Sequence, residues 1–306
     1  MMLPIQVIGS LNIDLTVGLE RFHLPGETVT ARDFHIYPGG KGGNQAVAAA
    51  RLGADVRFVG MVGEDDNGAF YLRVLKEENI DTTGVGRAKE APRGVALIEV
   101  DAAGENRIAV VPGTNGLVTD DYVKRHQQNI SGKKICMLQL EIPLHSCMEA
   151  AKRAYDGGDI VILDPAPARP LQESFLNCVS YITPNESELA HLTGLSTDTM
   201  ENIEAAARTL IARGVKAVVV KLGGNGCLYV DSVRSLHSPG YKVNVVDTTA
   251  AGDSFNAGLA YALAADYPIE KALRFANAVG ACSVTGAGAQ SAMPSLKQVE
   301  ELMLRQ

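Results

Sequence analysis

Short apolar runs alternate with segments of helical period along most of the chain. Residues 5–9, 56–62, 135–140, 160–163 and 217–222 are nearly continuous apolar stretches of strand length. That is the pattern of strands covered on both faces. Between them, residues 46–52, 67–78, a segment running to 155, 187–193 and 201–213 read as helices. Strand–helix alternation of this kind predicts an α/β fold, with a central, mostly parallel sheet and helices on both faces. The rhythm breaks twice. Residues 28–37 alternate (Val29, Ala31, Phe34, Ile36), which predicts a half-exposed strand. Residues 94–100 and 107–111 flank the turn-forming stretch 101–106, a hairpin with no helix between its strands. Together these predict a small second sheet.

A further β-branched run, Val243, Val245 and Val246, predicts a strand that enters a helix (Phe255, Leu259, Ala262, Leu263) through Ala250, Ala251 and Gly252. The first N–H groups of a helix have no internal partner, so small residues there expose an anion site with a partial positive charge behind it. Asp253 falls in the first turn. It is either a helix-start aspartate or a base placed beside a bound anion. A second glycine-rich stretch, Pro38-Gly-Gly-Lys-Gly-Gly-Asn-Gln45, precedes the predicted helix 46–52 without the spacing of a phosphate-binding P-loop. It reads as a glycine turn carrying a solvated lysine, or as backbone packed on a polyhydroxylated ligand with Lys41 and Asn44 supplying hydrogen bonds. Polar groups also cluster just past the predicted strands: Asn12, Asp14, Glu141, Asp164, Asn185–Glu188 and Gly223–Gly226. In α/β folds, ligands bind at those strand ends.

Composition narrows the class. Of 306 residues, 46% are apolar and 21% charged, which provides a sizeable core in what reads as one large unit. The net charge of −7 comes with no basic run, which argues against nucleic acid and membrane as partners. The five cysteines form no CxxC pair and fit a reduced, cytoplasmic protein. The apolar opening lacks a basic flank and soon reaches Asp14, so it reads as a buried strand. The six histidines show no zinc spacing. Gly9 is followed by Ser-Leu-Asn, so the dinucleotide fingerprint of a Rossmann dehydrogenase is missing after the first strand.

The motifs together resemble the ribokinase branch of the PfkB carbohydrate-kinase family. Gly39-Gly-Lys-Gly-Gly-Asn-Gln-Ala-Val-Ala-Ala-Ala50 is similar to the family's first signature, and Asp247-Thr-Thr-Ala-Ala-Gly-Asp253 to its second. Between them, Leu138-Gln-Leu-Glu141, Asp164-Pro-Ala-Pro-Ala168, Thr183-Pro-Asn-Glu-Ser-Glu188 and Leu222-Gly-Gly-Asn-Gly226 follow the family order. The resemblance implies a sugar kinase using ATP with Mg²⁺ on D-ribose, the product being ribose 5-phosphate. It implies Asp253 as general base, beside an anion hole at Ala251, Gly252 and Asp253. It places the sugar on Asn12, Asp14, Gly40, Lys41, Asn44 and Glu141, and ATP on Asn185, Lys221, Gly223, Gly226, Gly252 and Asn277. Glu188 would hold Mg²⁺ through water; Asn185 and Glu188 also suit a helix cap with an acidic first turn. A monovalent cation, K⁺, would sit on Asp247, Thr249, Ser283, Gly286, Gly288 and Ala292; Asp247 alone would also suit a turn cap.

By the same resemblance the chain is a single ribokinase-like unit. Its α/β body spans about 1–12, 38–92 and 112–306, and a β lid through which such chains form homodimers spans about 13–37 and 93–111. Four positions depart from the usual pattern. Lys221 stands where threonine is frequent, Asn277 where histidine is, Asp164 where asparagine or aspartate occurs, and Ala292 where serine is frequent. Asn12 stands where related deoxyribose kinases often have an apolar residue, which favours ribose. The alternatives are a kinase of the same family acting on 2-deoxyribose, a hexose, a nucleoside or a vitamin, or a catalytically silent sugar-binding protein. The presence of both Gly252 and Asp253 argues against the last.

Overall fold

The computed structural model describes residues 2–89, 94–127 and 132–306. Among the described residues, thirteen strands run in chain order: β1 Ile5–Ile8, β2 Asn12–Gly18, β3 Asp33–Gly39, β4 Val56–Gly63, β5 Asp81–Ala88, β6 Gly94–Val100, β7 Asn106–Val111, β8 Ile135–Leu138, β9 Ile160–Leu163, β10 Tyr181–Ile182, β11 Ala217–Lys221, β12 Cys227–Asp231 and β13 Ser235–Ser238. Nine form one sheet in the order β13-β12-β11-β10-β9-β8-β1-β4-β5, and β3-β2-β6-β7 form a second. Pairing across the large sheet is parallel from β5 through to β11, and only β12 and β13 are antiparallel. All four residues of β1 and of β8 are buried, as strands sandwiched between helix layers must be.

One of those layers brings the helices Lys41–Arg51, Ala251–Ala264 and Ile269–Ser283 together. Alanines and glycines let them approach closely. A Cβ on Gly42 would lie 2.6 Å from the Ser10 nitrogen, and one on Gly43 would lie 2.0 Å from the Tyr71 hydroxyl. The start of the helix Lys41–Arg51 is therefore pressed onto the end of β1, and Gly40, at φ 83°, makes the turn into it.

The structure corrects several local expectations. The helix expected from residue 46 begins at Lys41, so the glycine stretch forms its first turn. The alternating strand expected at 28–37 begins only at Asp33, and Phe34 and Ile36 are exposed. Asn12 and Asp14 lie within β2, where alternation points both to one face. Val243–Val246 is no strand. Val245 and Val246 are each 59% exposed, and the Val246 amide bonds to the Val284 carbonyl instead of a sheet neighbour. Sheet pairing ends with β13, and Val243 and Val245 line a cavity. Strands β5, β10, β12 and β13 carry no sequence expectation. Arg93, at the expected edge of the second sheet, lies outside the described residues.

Candidate active site

The centre of the site is Asp253, 5% exposed in the first turn of the helix Ala251–Ala264. Its Oδ2 accepts a hydrogen bond from Asn44 Nδ2 at 3.0 Å and its Oδ1 one from Gln45 Nε2 at 3.1 Å. Both donors come from the helix Lys41–Arg51, which crosses beside it. Burial pushes the Asp253 carboxyl up to about 6, against the pull of the Lys41 ammonium; Asp164 adds to the rise, and the two amides oppose it. Burial also works against charge on Lys41, but Asp253, Asp164, Glu141 and Glu188 outweigh it and hold the ammonium above its ordinary value.

The residue before this helix, Ala250, is left-handed at φ 58°, and no side chain caps the helix start. Of the three expected anion-hole donors, the Ala251 amide bonds to the Thr248 carbonyl at 3.2 Å. Among the described residues, the amides of Gly252 and Asp253 have no partner. The open donors are therefore two adjacent N–H groups, beside a buried carboxylate.

Among the positions expected for the sugar, Asn12, Asp14 and Asn44 are buried. Asn12 Oδ1 accepts from Asn115 Nδ2 at 2.6 Å, so its own amide nitrogen remains for a ligand. Burial pushes the Asp14 carboxyl up to about 7, with Glu141 and Asp253 adding to the rise. Glu141 accepts from the Ser10 hydroxyl at 2.5 Å and from the Lys41 amide at 3.0 Å, which covers the start of the helix Lys41–Arg51 with a carboxylate. Gly40 is the residue preceding that helix. All six expected sugar positions thus come together around the end of β1 and β2.

Five side chains with no assigned role complete the site. Gln45 bridges Asp253 and Asp164, and its Oε1 accepts from Gln139 Nε2 at 2.6 Å. Gln290 donates to Asn44 Oδ1 at 3.2 Å and to the Tyr71 hydroxyl at 2.9 Å; that hydroxyl donates to the Gly39 carbonyl. Asn115 holds both Asn12 and the Leu11 amide.

Two cavities meet beside Asp253. One, of about 460 Å³, is lined by Gly223, Gly226, Val243, Phe255 and Asn277 among others. The other, of about 570 Å³, is lined by Lys41, Asn185, Glu188, Gly252 and Asp253 among others. Lys221 lines both. Asn277 faces the first cavity, but its amide nitrogen is engaged by the Ser238 carbonyl at 3.0 Å, the Ser238 hydroxyl at 3.1 Å and the Pro239 carbonyl at 3.2 Å. Asn185 and Glu188 form a reciprocal cap, with each side chain bonded to the other's backbone N–H. Among the described residues, no group of three or more histidine, cysteine, aspartate or glutamate side chains is placed to grip an ion. Asp164, Glu186, Glu188 and Asp253 line this second cavity, and carboxylates there suit a hydrated divalent ion brought in on phosphates.

The remaining candidates cluster behind the two open N–H donors. Asp247 accepts from the Thr249 amide at 2.9 Å and hydroxyl at 2.7 Å, and from the Gly288 amide at 2.8 Å. Burial works to raise its pKa, but these bonds outweigh burial and hold it below the ordinary value. Gly286 abuts Ala292, and the Ser283 hydroxyl donates to the Gly280 carbonyl.

A buried carboxylate beside two open backbone donors, between a cavity rich in hydrogen-bonding groups and one with apolar walls, defines a phosphotransferase with an alcohol acceptor. The chain belongs to the pfkB family of carbohydrate kinases, whose model matches residues 2–296. It is 40% identical to a ribokinase of Bacillus subtilis, over 98% of this chain and 99% of the other. It is 36% identical to a deoxyribokinase of Salmonella typhi, again over 98% and 99%. A solved Arabidopsis thaliana ribokinase, complexed with ribose and ATP, superposes with a TM-score of 0.89 at 34% identity, over 99% of each chain.

Proposed function

We propose that this kinase transfers the γ-phosphoryl group of ATP to the 5-hydroxyl of D-ribose, giving ribose 5-phosphate. The observation that carries the reading is the placement of Asn12 and Asp14. They are two residues apart on one face of β2, both buried, with Asp14 within electrostatic reach of Asp253 and Glu141. Such a set presents donors and acceptors to neighbouring hydroxyls of one small sugar. The ribose and ATP bound by the Arabidopsis relative support it.

Asp253 takes the proton of the acceptor hydroxyl. The oxygen bonds to the γ-phosphorus, the bond from that phosphorus to the β–γ bridging oxygen breaks, and ADP leaves. With its pKa raised to about 6, Asp253 is ionised at neutral pH yet more basic than an exposed aspartate. The amides of Gly252 and Asp253 face the charge that develops on the transferring group. Glu188 would hold Mg²⁺ through water, and the ion would supply charge neutralisation on the phosphates; Asn185 would bind the nucleotide. Asp247, Thr249 and the 283–292 segment would hold K⁺, whose charge would help order the backbone behind the anion hole. The second sheet serves as a lid that excludes water from the phosphoryl group. Its exposed Phe34, Ile36, Leu97, Ile108 and Val110 support pairing of two lids in a homodimer. The five unpaired cysteines support a reducing, cytoplasmic setting.

The test is a coupled ADP-release assay over ribose, 2-deoxyribose, fructose and adenosine. Ribose should give the highest kcat/KM. Asp253→Asn should lower turnover by about 10²–10⁴-fold, the usual contribution of a positioned base, while sugar binding persists. Turnover highest on adenosine, or Asp253→Asn activity within threefold of the parent, refutes the assignment.

A further inference from the structure

The hydrogen bonds behind Asp253 have a direction, and it is set at their far end. The Gly39 carbonyl can only accept, and the Tyr71 hydroxyl donates to it. Burial pushes that hydroxyl well above its ordinary pKa, so it keeps this one proton. Toward Gln290 it can therefore only accept, and Gln290 Nε2 donates to it at 2.9 Å. The same Nε2 donates to Asn44 Oδ1 at 3.2 Å, which turns Asn44 Nδ2 onto Asp253 Oδ2. Gln45 likewise meets Asp253 Oδ1 with its Nε2, its own oxygen being held by Gln139. Both oxygens of Asp253 face donors, so a proton on either finds no acceptor among these side chains. Gln290 and Tyr71 are buried, and Arg51 fixes the Gln290 backbone. On the same helix as Asn44, Arg51 donates to the Gln290 and Met293 carbonyls and is itself held by Glu78.

We propose that Gln290, its polarity set by Tyr71, is a positioning residue that locks the Asn44 amide as a donor to Asp253 and so keeps the base ionised. The inference rests on the reading of Asp253 as the base. A free amide could turn over and offer its oxygen to a protonated Asp253; a locked one cannot. The charged groups facing Asp253 are Lys41 from the crossing helix, Asp164 past β9 and Asp14 on β2. Asp164 is paired with Lys221 at 2.9 Å, and Glu141 and Glu188 also act on Lys41. Among the described residues none of these bonds to Gln290, whose side chain reaches Asn44 and Tyr71. A change at Gln290 therefore reaches Asp253 through Asn44.

Carboxyl-carbon NMR of the full chain, labelled at aspartate and free of ligand, tests it. The Asp253 signal is assigned by its loss in Asp253→Asn, which separates it from that of Asp14, raised into the same range. Gln290→Met keeps the length and removes both amide atoms. Tyr71→Phe keeps the ring and removes only the anchor of polarity, so it decides the matter if Gln290→Met folds poorly. The parent Asp253 should titrate at about 6. In Gln290→Met the midpoint should rise by about 1, the scale of one hydrogen bond to a charged group, and in Tyr71→Phe by less. In Gln290→Met, kcat/KM for ribose should accordingly fall about tenfold further at pH 5.5 than at pH 8.5, because less of the base is ionised at the lower pH. A midpoint unmoved in both variants, with activity lost evenly at both pH values, would show a packing role and overturn the proposal. A downward move overturns it too. Asp253→Asn as active as the parent would instead refute the base, whatever the titrations show.

Discussion

Asp14 should hold sugar at the expense of stability, and replacing it by asparagine should separate the two. No described residue donates a hydrogen bond to its carboxylate, which is 8% exposed and close to Glu141 and Asp253. Its pKa rises from 3.8 to about 7, first through burial and then through those two carboxylates. At 1.36 kcal/mol per pKa unit, the ionised group costs the folded protein about 4 kcal/mol at pH 8, where both folded and unfolded chains carry the charge. At pH 5 the folded form holds the proton and the unfolded form does not, which leaves about 2 kcal/mol. Below the unfolded value the cost vanishes. Asp14→Asn keeps the size and removes the charge, so its gain in stability should be greatest at pH 8, about half as large at pH 5 and absent near pH 3. Urea unfolding of the ligand-free protein at pH 5 and pH 8 reads this directly. The same variant should bind ribose at least about tenfold more weakly, because a carboxylate accepts hydroxyl protons that an amide nitrogen cannot. Equal gains at both pH values, or a loss of stability at pH 8, would refute the claim that Asp14 is a charge held ready for a ligand.

Two further outcomes follow from the same geometry. Asn12 spends its oxygen on Asn115 and keeps its amide nitrogen for the ligand, so ribose should exceed 2-deoxyribose by at least about tenfold in kcat/KM, and Asn12→Met should narrow the gap. Equal efficiency of the parent on both sugars would end that reading. In alkali-free Tris buffer, turnover with Mg²⁺, ATP and ribose should rise several-fold on adding K⁺, more than with Na⁺, and Asp247→Ala should abolish the response; a flat response in the parent would remove the cation site.

What the sequence showed and what it hid divide along physical lines. Strands β1, β4, β8, β9 and β11 were legible because burial on both faces leaves a continuous apolar run, a signal contained within a few residues. The run Val243–Val246 carries the same local signal and is no strand, because pairing requires a neighbouring edge and ligand-cavity walls use the same residues. The period-two pattern of β2 was present, with Ile13, Leu15 and Val17 alternating with Asn12, Asp14 and Thr16, but its polar face turns toward a ligand site and so resembles a loop.

The candidate site divides in the same way. Its carboxylates, lysine and glycines stood out because their spacing in two short stretches is unusual for a structural role. Gln45, Asn115 and Gln290 did not, because a glutamine or asparagine side chain has no local signature and acquires its task only from partners 208, 103 and 246 residues away. The chemistry of Asp253 depends on both kinds of information. Its position in the first helical turn is local, and so is the pair of open amides beside it. Its basicity is not local: burial raises it, Asp164 on a different strand end raises it further, and Lys41, Asn44 and Gln45 on a crossing helix hold it in check. An aspartate in the same first turn without that helix would be solvated, with an ordinary pKa, and a poor acceptor for a sugar proton. The proposed base is therefore made by the contact between the helices Lys41–Arg51 and Ala251–Ala264, and the small residues Ala46, Ala49, Ala257 and Ala260 buried together between them serve the chemistry as directly as the carboxylate does.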